Sequence, residues 1–377
     1  MALNTLPNAG LTNRGYPSDR LVTPIIINGD MSVAQRGTST SSVSGNGYFA
    51  SDRFKNIIGS LGTWTVSQST DVPTGQGFAT SFKMDCTTAD ASPSASDNNV
   101  VAQIIEGQNA QSLKKGTSNA ESVTLSFWVK SNKTGTYICE LYDVDNTRQI
   151  SQAYTISSSN TWEKKILTYA GDTTGTLGND NGASLQLNFF LATGSDRSSG
   201  TLSTTWTSVT NANRAAGQVN LADSTSNEWY ITGVQLEVGE FDSTSIPGFP
   251  FESFDSNFKK CKRYYKVVIK NTEGGSSCSI SNGTMYEAAE WYGVLELGEE
   301  MRATPTIAAT SGTNVYNLLG NGVGFNSNSI TAIANITNQA ASKCRINIGS
   351  VSGKAQGQAA WLRFDVIDSF ISAESEL

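Results

Sequence analysis

Along residues 77–86, GFATSFKMDC, the side chains of Phe78, Thr80, Phe82, Met84 and Cys86 share one parity, and Ala79, Ser81, Lys83 and Asp85 share the other. The same period of two returns in VTLSFWVKS, where Val123, Leu125, Phe127 and Val129 alternate with Thr124, Ser126, Trp128 and Lys130. It returns again in SLQLNFFLA with Leu185, Leu187, Phe189 and Leu191. Side chains alternate across a strand, so each segment predicts a strand with one buried face. Strands of this kind separated by Gly, Asn, Asp and Ser predict antiparallel sheets. Two such sheets bury each other's apolar faces as a sandwich or jelly roll. NEWYITGVQLEVG, residues 227–239, breaks the alternation midway: Trp229 and Ile231 lie on one parity, Val234, Leu236 and Val238 on the other, with Gly233 near the change. One extra residue turns the side chains that follow it to the opposite face, so the segment reads as a strand carrying a β-bulge. A strand covered on both faces at one end, by a neighbouring subunit or by an N-terminal arm, has the same pattern.

The flanking regions read differently. Residues 1–30 hold Pro7, Pro17 and Pro24 and several turn formers before the apolar run Ile25, Ile26, Ile27. This predicts an extended arm whose isoleucines pack against a neighbour. Strand signals fill 31–250, predicted as the jelly roll. Pro247, Gly248 and Pro250 break regular structure and mark a junction. Phe254, Phe258, Cys261 and Tyr265 then trace the stripe of a short amphipathic helix within 251–265, with Ser253 or Asp255 as its cap. Lys259, Lys260, Lys262, Arg263, Lys266 and Lys270 in the same stretch suit a solvated connector face or an anionic-ligand patch. From 266 to 377, YYKVVIK (from 264), YGVLELG, SITAIANI, KCRINIGS and AAWLRFDVI predict a second, smaller β-sandwich. The predicted fold class is all-β, an arm followed by two sandwiches joined by a short helix.

Composition narrows the function. A chain of 377 residues has room for two domains of roughly 100 to 200 residues each. Only 16% of it is charged, so Ser, Thr, Asn and Gln dominate its surface. The net charge of −7 opposes binding to a phosphate backbone, so no nucleic-acid partner is expected. No apolar run approaches about 18 residues, and the N-terminus lacks a basic start followed by an apolar segment. The expectation is a soluble protein made in a cytoplasm, without membrane insertion. Cys86, Cys139, Cys261, Cys278 and Cys344 form neither a zinc spacing nor a disulfide framework and read as buried thiols. The chain contains no histidine, which removes the commonest general base and every imidazole triad. Neither a P-loop nor a GxSxG pattern occurs. Glycoside hydrolysis needs only two carboxylates, but Glu106, Glu140, Asp143, Asp145 and Glu163 have no context that singles them out. No catalysis is expected.

Two candidate chemistries remain. Asp143, Asp145 and Asn146 in DVDN, and Asn179, Asp180 and Asn181 before Gly182, offer oxygen ligands to calcium. The spacing is not that of an EF-hand loop, and plain turns use the same residues. No cofactor is therefore expected, with calcium at Asp143, Asp145 and Asp180 as the alternative. Exposed aromatic rings stack on the C–H faces of sugars. Trp128 has the parity opposite to its strand's apolar residues, and Trp64, Trp162, Tyr142 and Trp206 are the other possible platforms, with core or subunit packing as the competing use.

INGDMSVAQRGTS (27–39), ASDRF (50–54), VTLSFWVKS, TWEKKILTYAGDTTGT (161–176), ITGVQLEVG (231–239) and FPFESFDSNFKKCKRYYK (249–266) together resemble landmarks of virion structural and tail-fibre proteins of tailed bacteriophages, especially phages of marine bacteria. The resemblance covers residues from about 25 to 266, and MRATPTI (301–307) extends it with lower specificity. It implies a homotrimeric fibre or spike of the virion, made in the host cytoplasm, with a jelly roll similar to carbohydrate-binding modules. It also implies that the arm, with Ile25, Ile26 and Ile27, docks to other virion proteins or to a neighbouring subunit, that host surface polysaccharide is the partner, and that no catalytic residues exist. A capsid-decoration or tail-structural protein contacting only virion proteins is the alternative, with a polysaccharide-cleaving enzyme behind it.

Overall fold

A computed structural model describes residues 24–272, 278–320, 326–330, 333, 335–337, 340–349, 351 and 355–377. Most of the predicted arm, residues 1–23, lies outside them, as does part of SITAIANI. The described chain is all-β apart from short helices and divides into two compact units, 24–258 and Lys259–Glu376. The boundary falls within the helix Phe254–Lys262, whose predicted cap Ser253 accepts the Ser256 N–H on its hydroxyl at 3.2 Å.

The first unit is a sandwich of two six-stranded sheets. Its strands are β1 (Ser39–Val43), β2 (Lys55–Gly59), β3 (Thr63–Ser69), β4 (Ser81–Thr88), β5 (Asn98–Glu106), β6 (Val123–Ser131), β7 (Gly135–Asp143), β8 (Arg148–Ile156), β9 (Glu163–Tyr169), β10 (Ala183–Thr193), β11 (Thr207–Ser208) and β12 (Glu228–Val238). One sheet runs β1-β3-β4-β12-β6-β9 and the other β11-β8-β7-β10-β5-β2, with antiparallel pairing throughout. The alternating residues meet between the sheets: Phe127 packs edge-on against Tyr154 and Phe189 at 5.1 and 5.2 Å, and Phe189 lies 6.1 Å from Trp229. Cys86 and Cys139 are buried here as free thiols. Burial pushes the Cys86 thiol up to about 11, so it stays protonated and unreactive at neutral pH.

The bulge predicted in β12 is present. Register shifts between Thr232 and Gln235, and Trp229, Ile231, Val234 and Leu236 all enter the same core. Gly233 takes the left-handed φ of 64° that an L-residue adopts only with strain. The bulge releases the Val234 N–H from the ladder, and the Gly29 carbonyl accepts it at 2.9 Å.

That contact corrects the expected extent of the arm. Residues 24–30 are stitched into the sandwich: the Gln103 amide clasps the Ile27 backbone through bonds of 2.8 and 2.9 Å, and Ile25 and Ile26 are buried in the unit's own core. An apolar run beside a sheet with a free donor is satisfied within its own chain, which leaves these two isoleucines no open surface for a neighbour. Asn28 and Met31 have φ of 60°, and the Asn28 side chain donates to the Val33 and Asp52 carbonyls and accepts the Val33 N–H, each at 2.9 Å. Asn257 of the helix accepts the Asn28 N–H at 3.1 Å and donates to Asp30 and Ser32. INGDMS, ASDRF and SNF are thus one knot of hydrogen bonds.

In the second unit the described strands, between Tyr265 and Glu374, form a three-stranded and a seven-stranded sheet around a core that includes Met285, Trp291, Tyr316, Ile346, Leu362 and Ile371. Tyr286 and Tyr292 stack at 4.5 Å on the outer face of the larger sheet, beside Arg345, and Trp361 is exposed on another of its strands.

Candidate functional site

The outer face of the sheet containing β12 carries a cleft. It encloses about 280 Å³ and is lined by Gln76, Phe78, Ser126, Trp128, Lys164, Gly233, Gln235, Gly248, Phe249 and Phe251. Its floor follows from strand parity. Ser126 and Trp128 alternate with the core residues of β6, Gln235 alternates with Val234 and Leu236, and Lys164 pairs across the ladder with Trp128. Its roof is a cluster of three rings: Phe78 lies 5.1 Å from both Phe249 and Phe251, which are 4.9 Å apart. The Gln235 amide donates to the Pro247 carbonyl at 2.9 Å and so anchors the segment that carries two of these rings. A Cβ on Gly233 would stand 2.6 Å from the Phe78 ring, so the bulge glycine leaves the space that ring occupies.

Beside the cleft the same face presents a charged aromatic platform. Tyr230 pairs across the ladder with Lys83 on one side and Lys130 on the other. The Lys130 ammonium lies 4.3 Å from the Tyr230 ring centre and 5.8 Å from that of Trp162, and it forms an ion pair with Asp71. The Trp162 indole donates to the Asp71 carboxylate at 2.9 Å and meets Tyr230 edge-on at 6.1 Å. Burial alone would raise the Asp71 carboxyl; the bonds from Lys130 and Trp162 outweigh it and hold the group below its usual value. For Lys83, burial is likewise outweighed by Glu228, 2.7 Å away, and Tyr230, and its pKa is raised. Desolvation pushes the Tyr230 hydroxyl up to about 12, so it remains a neutral donor. Desolvation also lowers the Lys164 ammonium.

The outer face of the opposite sheet is closed at its centre, where Val100, Ala102, Ile138 and Phe190 are covered by Ala215 and Leu202. Arg214 on the same covering segment grips both oxygens of Glu140, at 2.8 and 2.6 Å, and lies 4.9 Å over the Tyr142 ring.

No protein-family model and no curated protein sequence matches the chain. Among solved structures, it is similar to the enzymatically active domain of a tailspike protein of bacteriophage CBA120, at 16% identity and a TM-score of 0.30 over 57% of this chain and 21% of that one. The chain thus spans about a fifth of that tailspike structure. It is similar to a xylan-binding domain from Paenibacillus barcinonensis at 12% identity, covering 54% of this chain and 94% of that one, with a TM-score of 0.25. A family 11 carbohydrate-binding module from Clostridium thermocellum, in complex with a β-1,3-1,4-mixed-linked tetrasaccharide, is similar at 10% identity over 54% and 98%, with a TM-score of 0.26.

Of the five aromatic candidates, the structure brings Trp128 and Trp162 to one face. Trp64 is corrected to a core residue: it shares its parity with Val66, is fully buried, and donates its indole N–H to the Leu61 carbonyl at 2.9 Å. Trp206 packs on the core margin with its indole on the Ala170 carbonyl, 4.9 Å from the Lys115 ammonium. Tyr142 belongs to the opposite sheet. Phe78 is also corrected: strand β4 begins at Ser81, so the alternation does not reach back to Phe78, which roofs the cleft instead of entering the core.

The acidic candidates serve the scaffold. The buried Asp143 carboxylate pairs with the Lys115 ammonium at 2.5 Å and accepts from the Asn146 backbone and amide; Lys115 also reaches Asp172 at 2.9 Å, which Arg148 bridges at 2.7 Å. Asp145 accepts the Gly178 N–H and Asp180 the Gly182 N–H, both at 2.8 Å. Among the described residues no three Asp, Glu or Cys side chains are grouped to hold a metal ion.

Proposed function

We propose that the first unit is a non-enzymatic carbohydrate-binding sandwich that takes sugar rings in the cleft between Trp128 and the Phe78, Phe249 and Phe251 roof. The observation that carries this reading is the cleft itself: four rings around a solvent-open space, with the exposed Gln76 at hand to orient hydroxyls. No carboxylate lines it, so the two-carboxylate route to glycoside cleavage has no acid there. The buried carboxylates Glu140, Asp143 and Asp172 are engaged by Arg214, Lys115 and Arg148. No resident metal belongs to this reading, because the Lys115 ammonium stands where a cation on Asp143 would stand.

The chain is read as a virion component of a tailed bacteriophage, a homotrimeric fibre or spike that attaches to host polysaccharide. The sequence landmarks support this reading, and weak single-site contacts multiplied over several copies would give firm attachment. Attachment to the particle is assigned to residues 1–23. A second reading, a decoration or tail-structural element that contacts only virion proteins, draws on the exposed rings of Tyr286 and Trp361 in the second unit.

A glycan array with the purified chain separates the two. Binding that falls at least tenfold in Trp128→Ala supports the first reading. Silence across the array favours the second, and release of reducing ends from any polysaccharide would overturn the non-enzymatic assignment.

A further inference from the structure

The neighbouring lysines on the cleft face are paired off: Lys130 is matched to Asp71 and Lys83 to Glu228. Lys164 stands beside Trp128 on the cleft wall, and among the described residues its ammonium forms no hydrogen bond or ion pair. No carboxylate lines the cleft to neutralise it. Lys164 is itself exposed at the cleft; its surroundings desolvate the ammonium enough to lower it, and no anion is placed to raise it back.

We infer that the cleft selects an acidic sugar, its Lys164 ammonium taking the carboxylate of a uronate or the ester of a sulfated residue while Trp128 stacks on the same or the adjoining ring. This rests on the carbohydrate-binding reading above and adds the charge of the ligand to it. Net charge does not oppose it. The −7 of the chain is spread over the molecule, and at physiological ionic strength fields are screened within about 8 Å. The groups within that reach of Lys164 set the preference. A charge-assisted hydrogen bond formed in a partly desolvated cleft is worth more than one in open water, and a preference of about tenfold for the charged ligand is the expected size.

The experiment measures affinities by calorimetry for polygalacturonate and its carboxyl-reduced form, and for κ-carrageenan and its desulfated form. It uses the full chain and the variants Lys164→Gln, Lys164→Arg and Trp128→Ala. The wild type should prefer at least one charged polymer over its neutral counterpart about tenfold, and which pair shows the preference identifies carboxylate or sulfate. Lys164→Gln should equalise the pair without weakening the neutral member; Lys164→Arg should keep the preference. A preference that survives Lys164→Gln, or a wild type that favours the neutral members, overturns the inference and leaves the carbohydrate reading standing. Failure of the underlying reading has a different signature: Trp128→Ala leaves every affinity unchanged, or neither charge state of either polymer binds, and then both fall.

Discussion

Gly233→Ala tests whether the bulge shapes the cleft. At φ 64° an alanine enters the left-handed region, which costs about 1–2 kcal/mol for an L-residue, and the stiffer unfolded chain returns about 0.4–1 kcal/mol of that. The new methyl would lie 2.6 Å from the tip of the Phe78 ring and 3.1 and 3.2 Å from the adjoining ring carbons, so the ring must move. Moving it disturbs contacts with Phe249 and Phe251, each worth about 0.5–1.5 kcal/mol beyond the area they bury. The total comes to roughly 1–3 kcal/mol. Gly75 supplies the control: its φ is 74° and nothing lies within 4 Å of an added Cβ, so Gly75→Ala carries the backbone cost alone. Urea unfolding followed by tryptophan fluorescence suits the comparison, because Trp64, Trp128, Trp162, Trp206 and Trp229, five of the seven, lie in the first unit. Gly233→Ala should be the less stable variant by about 1–2 kcal/mol and should bind glycan more weakly, while Gly75→Ala binds as the wild type does. Equal destabilisation by the two substitutions would mean that the Phe78 ring does not rest on the bulge.

Three further outcomes are expected. Lys115→Ala strands the buried carboxylates of Asp143 and Asp172 and should cost about 3–5 kcal/mol; a loss under about 1 kcal/mol in the same unfolding assay would refute the assigned ion cluster. Chelation with EDTA should leave the thermal midpoint unchanged, since Lys115 already neutralises Asp143, and a drop restored by calcium would contradict this. Asp71 has a folded pKa below its ordinary 3.8, so its contacts stabilise the folded state fully above that value and are lost as the pH falls through the lowered one. Because Trp162 donates to Asp71, its fluorescence should step at a midpoint below 3.8 and the step should vanish in Trp162→Phe; a Trp162-dependent midpoint at or above 3.8 would be inconsistent with the lowered value.

The sandwich was legible because strand parity is a local property. Phe82, Met84, Phe127, Val129, Leu187 and Phe189 all enter the core that their alternation predicts; the break in β12 marks its place in the sequence but fits a strand covered on both faces as well, and it is the shared core of Ile231 and Val234 that makes it a bulge. Alternation fails where the chain leaves the ladder, as at Phe78, and it is blind to packing at strand ends. The Ile25–Ile27 run carries no parity signal, and its partner Gln103 lies on a strand far away in sequence.

The candidate site divides along the same line. Trp128 is visible because its neighbours on β6 are apolar and it is out of phase with them; Tyr230, between Trp229 and Ile231, obeys the same rule on β12, whereas Lys164, between Glu163 and Lys165, carries no such signal. The roof carries none either. Phe249 and Phe251 sit among prolines that signal only a break, and nothing local says that Pro247 will be anchored by Gln235 and bring those rings to the cleft that Trp128 lines. The most recognisable stretches mark something else. Left-handed turns at Asn28 and Met31, and a side chain that must serve Val33 and Asp52 together, admit few residue types, whereas a roof needs only rings of suitable size. Motifs in this chain therefore point to the knot that holds the scaffold, and the surface that meets a ligand has to be read from which side chains the scaffold leaves out of phase or unpaired, Lys164 foremost among them.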